Sequence, residues 1–102
     1  MKINVSDSAA AQIRQSLGGA EGLGLRVAAR TTPEGKLTYL MGLDDPAEAD
    51  ERIPFEGFFV LVSPDESAIL DGLTLDYVEI EPGQFHFIFQ NPNDPDHKTL
   101  VQ

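Results

Sequence analysis

Two stretches of strict alternation set the architecture of this chain. Leu23, Leu25, Val27 and Ala29 alternate with Gly24, Arg26, Ala28 and Arg30, and Leu37, Tyr39, Met41 and Leu43 repeat the pattern a little further on. A period of two belongs to a strand with one buried and one wet face. The intervening Thr31-Thr32-Pro33-Glu34-Gly35-Lys36 carries the Pro and Gly of a hairpin connection. Lys2 to Val5, Ile53 to Phe55, Phe58 to Val62, Thr74 to Ile80 and Gln84 to Gln90 also read as strands, the middle pair turning at Glu56-Gly57 and the last at Glu81-Pro82-Gly83. Phe58 and Phe59 point to opposite faces of one strand, so burying both requires a sheet covered on both sides or a subunit interface.

One segment changes period. Ala9, Ala10, Ile13 and Leu17 recur at helical spacing behind Ser6, whose hydroxyl can cap, and Asp7, which suits the positive end of the helix dipole; Gly18-Gly19 closes the run. A helix from Asp7 to Leu17 is too short to stand alone and must pack on a sheet. Ser63-Pro64-Asp65-Glu66 predicts a second helix to about Leu70, with Ser63 capping and Glu66 returning the bond to the cap. Residues 94–102 show no periodicity and read as an irregular tail. The sum is one α+β domain, residues 1–102, of two short helices and about seven short strands in small sheets.

The 102 residues include no cysteine, which removes disulfides, thiolate zinc sites and thiol nucleophiles together. Seventeen Asp and Glu against seven Lys and Arg give a net charge of -10, a balance that repels phosphate backbones and argues against nucleic acid. Residues 1–36 carry net +2 and residues 37–102 net -12, which reads first as a soluble, self-repelling surface and second as an acidic face for a protein partner with a basic one or for a cation. The longest apolar run, Phe58 to Val62, is far short of the ~20 residues that span a bilayer. With no apolar segment behind Lys2, the expected compartment is the cytoplasm.

Several strings, in this order, resemble the HesB/IscA-like A-type iron-sulfur carriers: Ser6-Asp7, Gly22-Leu23-Gly24-Leu25-Arg26-Val27, Tyr39, Leu43-Asp44-Asp45, Val60-Leu61-Val62, Ser67, Leu70-Asp71-Gly72, Asp76-Tyr77-Val78-Glu79, Phe87, Phe89 and Asn91-Pro92-Asn93. They cover residues 2 to 93. The resemblance implies a HesB-like fold and association into dimers or larger assemblies. Members of that family hold iron or a cluster through three cysteines, and the corresponding positions here are Glu34, Lys98 and Leu100. None supplies the soft thiolate that clusters require, so no iron-sulfur cofactor is expected. The carry-over suggests instead a non-enzymatic protein-interaction or accessory role.

Other chemistry is thin. His86 and His97 match no helical metal spacing, and His86 sits on a strand face with Ile88. His97 is next to one family cysteine position, which makes Glu34 and His97 the candidate hard ligands for a divalent metal such as iron(II), manganese or zinc. The acidic loop Asp44 to Glu51 lacks the calcium-loop spacing, Gly22 to Val27 lacks the third glycine of a dinucleotide fingerprint, and no serine lies in a nucleophile elbow. An enzyme is not expected. A homo-oligomer is, on the strength of Phe58 to Val62 and the resemblance.

Overall fold

The computed structural model describes residues 1–19, 22–93 and, by backbone alone, 99–101. The elements run β1 (Ile3–Val5), α1 (Asp7–Leu17), β2 (Gly24–Thr31), β3 (Leu37–Asp44), β4 (Glu51–Phe55), β5 (Phe58–Val62), a 3-10 turn (Pro64–Glu66) continuing into α2 (Ser67–Leu70), β6 (Leu73–Glu81), β7 (Gln84–Gln90) and β8 (Thr99–Val101). They form two four-stranded sheets, ordered β1-β6-β7-β8 and β3-β2-β5-β4. Each is mixed: β1 runs parallel to β6 and β2 parallel to β5, while the remaining neighbours are antiparallel. This is the α+β architecture that the patterning predicts.

α1 begins and ends as its flanking residues dictate. Ser6 is extended, and its Oγ accepts from the Ala9 N–H; Gly18 takes the left-handed conformation at φ 54° and its N–H donates to the Arg14 carbonyl. The helix buries Ala9, Ile13 and Leu17. Ile13 and Leu17 meet Leu25 and Val27 of β2, Val60 and Val62 of β5, Leu73 and Leu75 of β6, and Phe89 of β7 in one core. Tyr39 of β3 stacks on Phe89 with centroids 5.2 Å apart and planes within 7°, which ties the two sheets together.

β5 lies inside its sheet, and Val60, Leu61 and Val62 are fully buried. Val60 and Val62 face the core, whereas Leu61 is on the other side with Phe59. That outer side is covered within the chain. The Phe59 ring lies over Gly24, where a Cβ would sit 2.5 Å from it, and the Arg52 guanidinium is 5.8 Å above the ring. The two-faced apolar strand therefore needs no neighbouring subunit to account for it.

Two local expectations are corrected. Ser63 makes no side-chain cap bond, and Glu66 does not return to it. Its Oε1 instead accepts from the Ala29 N–H at 2.9 Å and pairs with Arg30, because β5 accompanies β2 only at Leu25 and Arg26 and leaves Ala29 to find another acceptor. The tail is not irregular throughout either. Thr99–Val101 adds to the outer edge of β7 in antiparallel register, giving that strand's backbone groups partners they would otherwise lack.

Candidate functional site

Glu34 sits at the tip of the β2–β3 hairpin, exposed, in a loop that closes on itself. The Thr32 N–H donates to the Lys36 carbonyl at 2.7 Å, the Gly35 N–H to the Thr32 carbonyl at 2.9 Å, and the Lys36 N–H to Thr32 Oγ1 at 3.1 Å. Gly35 adopts φ 81°, which an L side chain rarely takes. The loop's polar groups are thus engaged with one another, and the Glu34 carboxylate projects from a self-contained turn.

Lys98 and His97 lie outside the described residues. Leu100 belongs to β8, where its backbone is registered with Phe89. Among the described residues, no three His, Asp or Glu side chains gather as a metal-binding group. The candidate pair Glu34 and His97 is therefore half described, by its Glu34 member.

The turn after β7 is built on Asn91, 1% exposed. Its Nδ2 donates to the Ile69 carbonyl at 2.8 Å and its Oδ1 accepts from the Asn93 N–H at 2.9 Å, while Asn93 Nδ2 donates to the Asp71 carbonyl at 2.6 Å. The free carbonyls at the end of α2 are satisfied this way. Asn91-Pro92-Asn93 is thus a clamp that fastens the end of β7 to the end of α2, a structural role the strings alone did not disclose.

The polar face of β2 holds a second cluster. Arg26 binds Asp50 through both terminal guanidinium nitrogens, with Nη1···Oδ1 at 3.0 Å, and binds Asp44 Oδ2 through Nε at 2.6 Å. These bonds raise the Arg26 pKa and hold both carboxyls below the usual aspartate range. Asp50 Oδ2 also accepts from the Ala47 N–H at 2.7 Å, so the acidic loop is pinned to the sheet rather than merely solvated. Alternation placed Arg26 on the wet face, but the composition of a loop with five acids between residues 44 and 51 cannot say which two Arg26 selects.

Asp76 is a third engaged acid. It accepts from Ser6 Oγ at 2.6 Å, Ser8 Oγ at 3.2 Å and the Tyr77 N–H at 2.8 Å, and these bonds lower its pKa. They fasten the start of α1 to β6. His86 is half-buried on β7, in register with Val78 of β6. Asp44, Asp50 and Asp76, the described acids with lowered pKa values, are each committed to structural partners.

The sequence profile of the family described as iron-sulphur cluster biosynthesis matches residues 1–101. The chain belongs to that family. The iron-binding protein IscA of Klebsiella pneumoniae (strain 342) is 36% identical over 98 residues, covering 94% of this chain and 91% of that protein. The IscA of Salmonella arizonae matches to the same extent. Among solved structures, Escherichia coli SufA, involved in biosynthesis of iron-sulfur clusters, superposes with a TM-score of 0.75 at 22% identity, covering 91% of this chain and 88% of SufA. An IscA with a [2Fe-2S] cluster superposes at 0.71 with 21% identity, covering 89% and 83%. These likenesses establish the fold as HesB/IscA-like.

The residues do not fit a cluster. No cysteine stands anywhere in the sequence, and the residues that the resemblance aligns with the family's cysteines offer one carboxylate, one ammonium and one hydrocarbon side chain. Iron-sulfur clusters rest mainly on thiolates, so no step is assigned to a cluster in this protein. No described helix is long and apolar enough to cross a membrane.

Proposed function

We propose that this chain keeps the family fold without cluster ligation and acts in the cytoplasm through protein contacts, catalysing no reaction. The observation that carries this is the full-length family match of a chain with no cysteine. The contacts in view are self-association and docking of a partner with a basic face against the acidic residues 37–102. The engagement of Asp44, Asp50 and Asp76 in structural bonds supports a scaffold reading over a catalytic one.

A second reading, a mononuclear divalent metal held by Glu34 and His97, is favoured by the iron-binding designation of the relatives. Two ligands per chain make a weak site, since structural zinc takes about four and catalytic zinc about three. Calorimetric titration with iron(II) and with zinc separates the two. The scaffold reading predicts no binding that depends on these side chains; stoichiometric binding lost in both Glu34→Ala and His97→Ala would establish the metal reading. In parallel, placing cysteine at all three family positions (Glu34→Cys, Lys98→Cys, Leu100→Cys) should confer cluster binding on anaerobic reconstitution, because the fold that carries those positions is retained.

A further inference from the structure

The space between the two sheets is closed at one end and open at the other. Along β3 the core-facing side chains run from buried Leu37 and Tyr39 through half-buried Met41 to Leu43, which is 43% exposed. Along β7, read backwards, they run from buried Phe89 through half-buried Phe87 to Phe85, which is 51% exposed. Tyr39 stacks on Phe89 where the gap is shut. The alternation thus goes on supplying apolar residues to the core side of both strands after the chain has stopped covering them.

Between the two fading rows lies an apolar cleft of about 210 Å³. Met41 and Leu43 form one lip and Phe87 the other, over a floor of Ile13 and Leu25, both buried. Among the described residues that line it, Ser16 and Gly42 complete the set and none is charged. The second lip continues outward as an aromatic strip, because Tyr77 meets Phe87 with centroids 4.7 Å apart and stacks on Phe85 at 5.6 Å. The cleft is smaller than the ~300–1,000 Å³ of a small-molecule pocket. It suits a single bulky side chain, the kind of anchor that carries much of the energy of a protein interface.

Carboxylates stand where both lips end. Asp44 and Asp45 follow Leu43 directly, and of these Arg26 holds Asp44 while Asp45 is exposed. On the other side Glu79 is in register with Phe85, and exposed Glu81 follows at the hairpin turn. An apolar patch with a polar rim is the usual mark of an interaction site, and here the charge of the rim selects the occupant. A second copy of this chain would bring the same carboxylates against them, on a molecule of net charge -10. A cationic segment meets opposite charge on both sides and an aromatic strip on one.

We propose that this cleft docks a partner protein by one bulky apolar side chain flanked by Lys or Arg. The inference deepens the basic-partner reading given under the proposed function and rests on it, placing that contact at the open end of the core. The site is also separate from the family's cysteine positions. It lies at the Leu43 end of β3, about 20 Å along the strand from Leu37, where the Glu34 hairpin begins.

The test uses a defined probe, a capped peptide with one phenylalanine between paired arginines, titrated into isotopically labelled protein and followed by NMR. The methyl groups of Met41 and Leu43 and the rings of Phe85 and Phe87 should shift together and saturably. Exchanging the phenylalanine for alanine, or the arginines for glutamates, should weaken binding by about tenfold or more. Leu43→Ser, at a half-exposed position, should do the same with the fold retained by circular dichroism. Asp45→Asn combined with Glu81→Gln, both exposed, should weaken binding less and flatten its dependence on salt. Shifts that gather instead on residues 47–51 would overturn the cleft and leave a basic partner standing, whereas no saturable shift anywhere would overturn both. Shifts at Met41 and Leu43 that depend on protein concentration without peptide would mean that a second copy fills the cleft, and equal binding of the glutamate-flanked peptide would remove the role of the rim; either result overturns the proposal.

Discussion

Gly24 and Gly42 lie on the same outer face of one sheet, and the same substitution should move stability in opposite directions at the two positions. Replacing a strand glycine by alanine removes unfolded-state freedom and stabilises by about 0.5–1 kcal/mol where the space is open. At Gly42 nothing lies within 4 Å of an added Cβ, so that gain stands alone. At Gly24 the Cβ would sit 2.5 and 2.7 Å from two carbons of the Phe59 ring and 2.9 Å from Leu61 Cγ. Leu61 is fully buried and cannot yield, and overpacking of this kind costs about 1–3 kcal/mol. The cost exceeds the gain, leaving Gly24→Ala less stable by about 1–2 kcal/mol. For a domain of this size that lowers Tm by about 5–10 °C, against a rise of a few degrees for Gly42→Ala. Thermal unfolding by circular dichroism, at one protein concentration for parent and variants, measures each. Adding Phe59→Ala to Gly24→Ala should recover part of the loss. A Gly24→Ala protein as stable as its parent would refute the packing of Phe59 and Leu61 over Gly24.

Two further outcomes follow from the polar contacts. Asp44, Asp50 and Asp76 have folded pKa values below the ordinary 3.8, so the stability they contribute is complete above pH ~4–5 and is lost as pH falls through the folded values. Asp50→Asn should flatten that acid limb more than Asp44→Asn, because Asp50 receives two Arg26 nitrogens and a backbone N–H; equal slopes in urea melts taken from pH 6 to pH 2.5 would count against the pinned loop. Ser63→Ala should change stability by less than ~0.5 kcal/mol, whereas Glu66→Ala leaves the Ala29 N–H without its acceptor and should cost about 1–3 kcal/mol. Denaturant midpoints rank the two.

The strands and α1 were legible because their signals are local. Alternation set β2 and β3, and Ser6 with Gly18 set the helix ends to the residue. What the sequence hid depends on contacts between distant segments. Ser63 and Glu66 have the spacing of a reciprocal cap, yet Glu66 is drawn to an unpaired N–H on β2, 37 positions away. Phe58 and Phe59 announced a strand with two apolar faces, but whether a subunit or the chain's own Phe59, Arg52 and Gly24 covers the second face is a matter of tertiary packing. The order of the family strings was legible, and it aligns Glu34, Lys98 and Leu100 with the family's cysteines. The buried Asn91 and its carbonyl partners were not, because an Asn-Pro-Asn string reads equally well as an open turn.

The central claim is that this family member holds no iron-sulfur cluster, and anaerobic reconstitution of the wild-type chain with iron(II) and sulfide tests it most directly. After desalting, the protein should show no sulfide-to-iron charge-transfer absorption and should carry neither iron nor labile sulfide in stoichiometric amount. A persistent visible band accompanied by matching iron and sulfide content would contradict it.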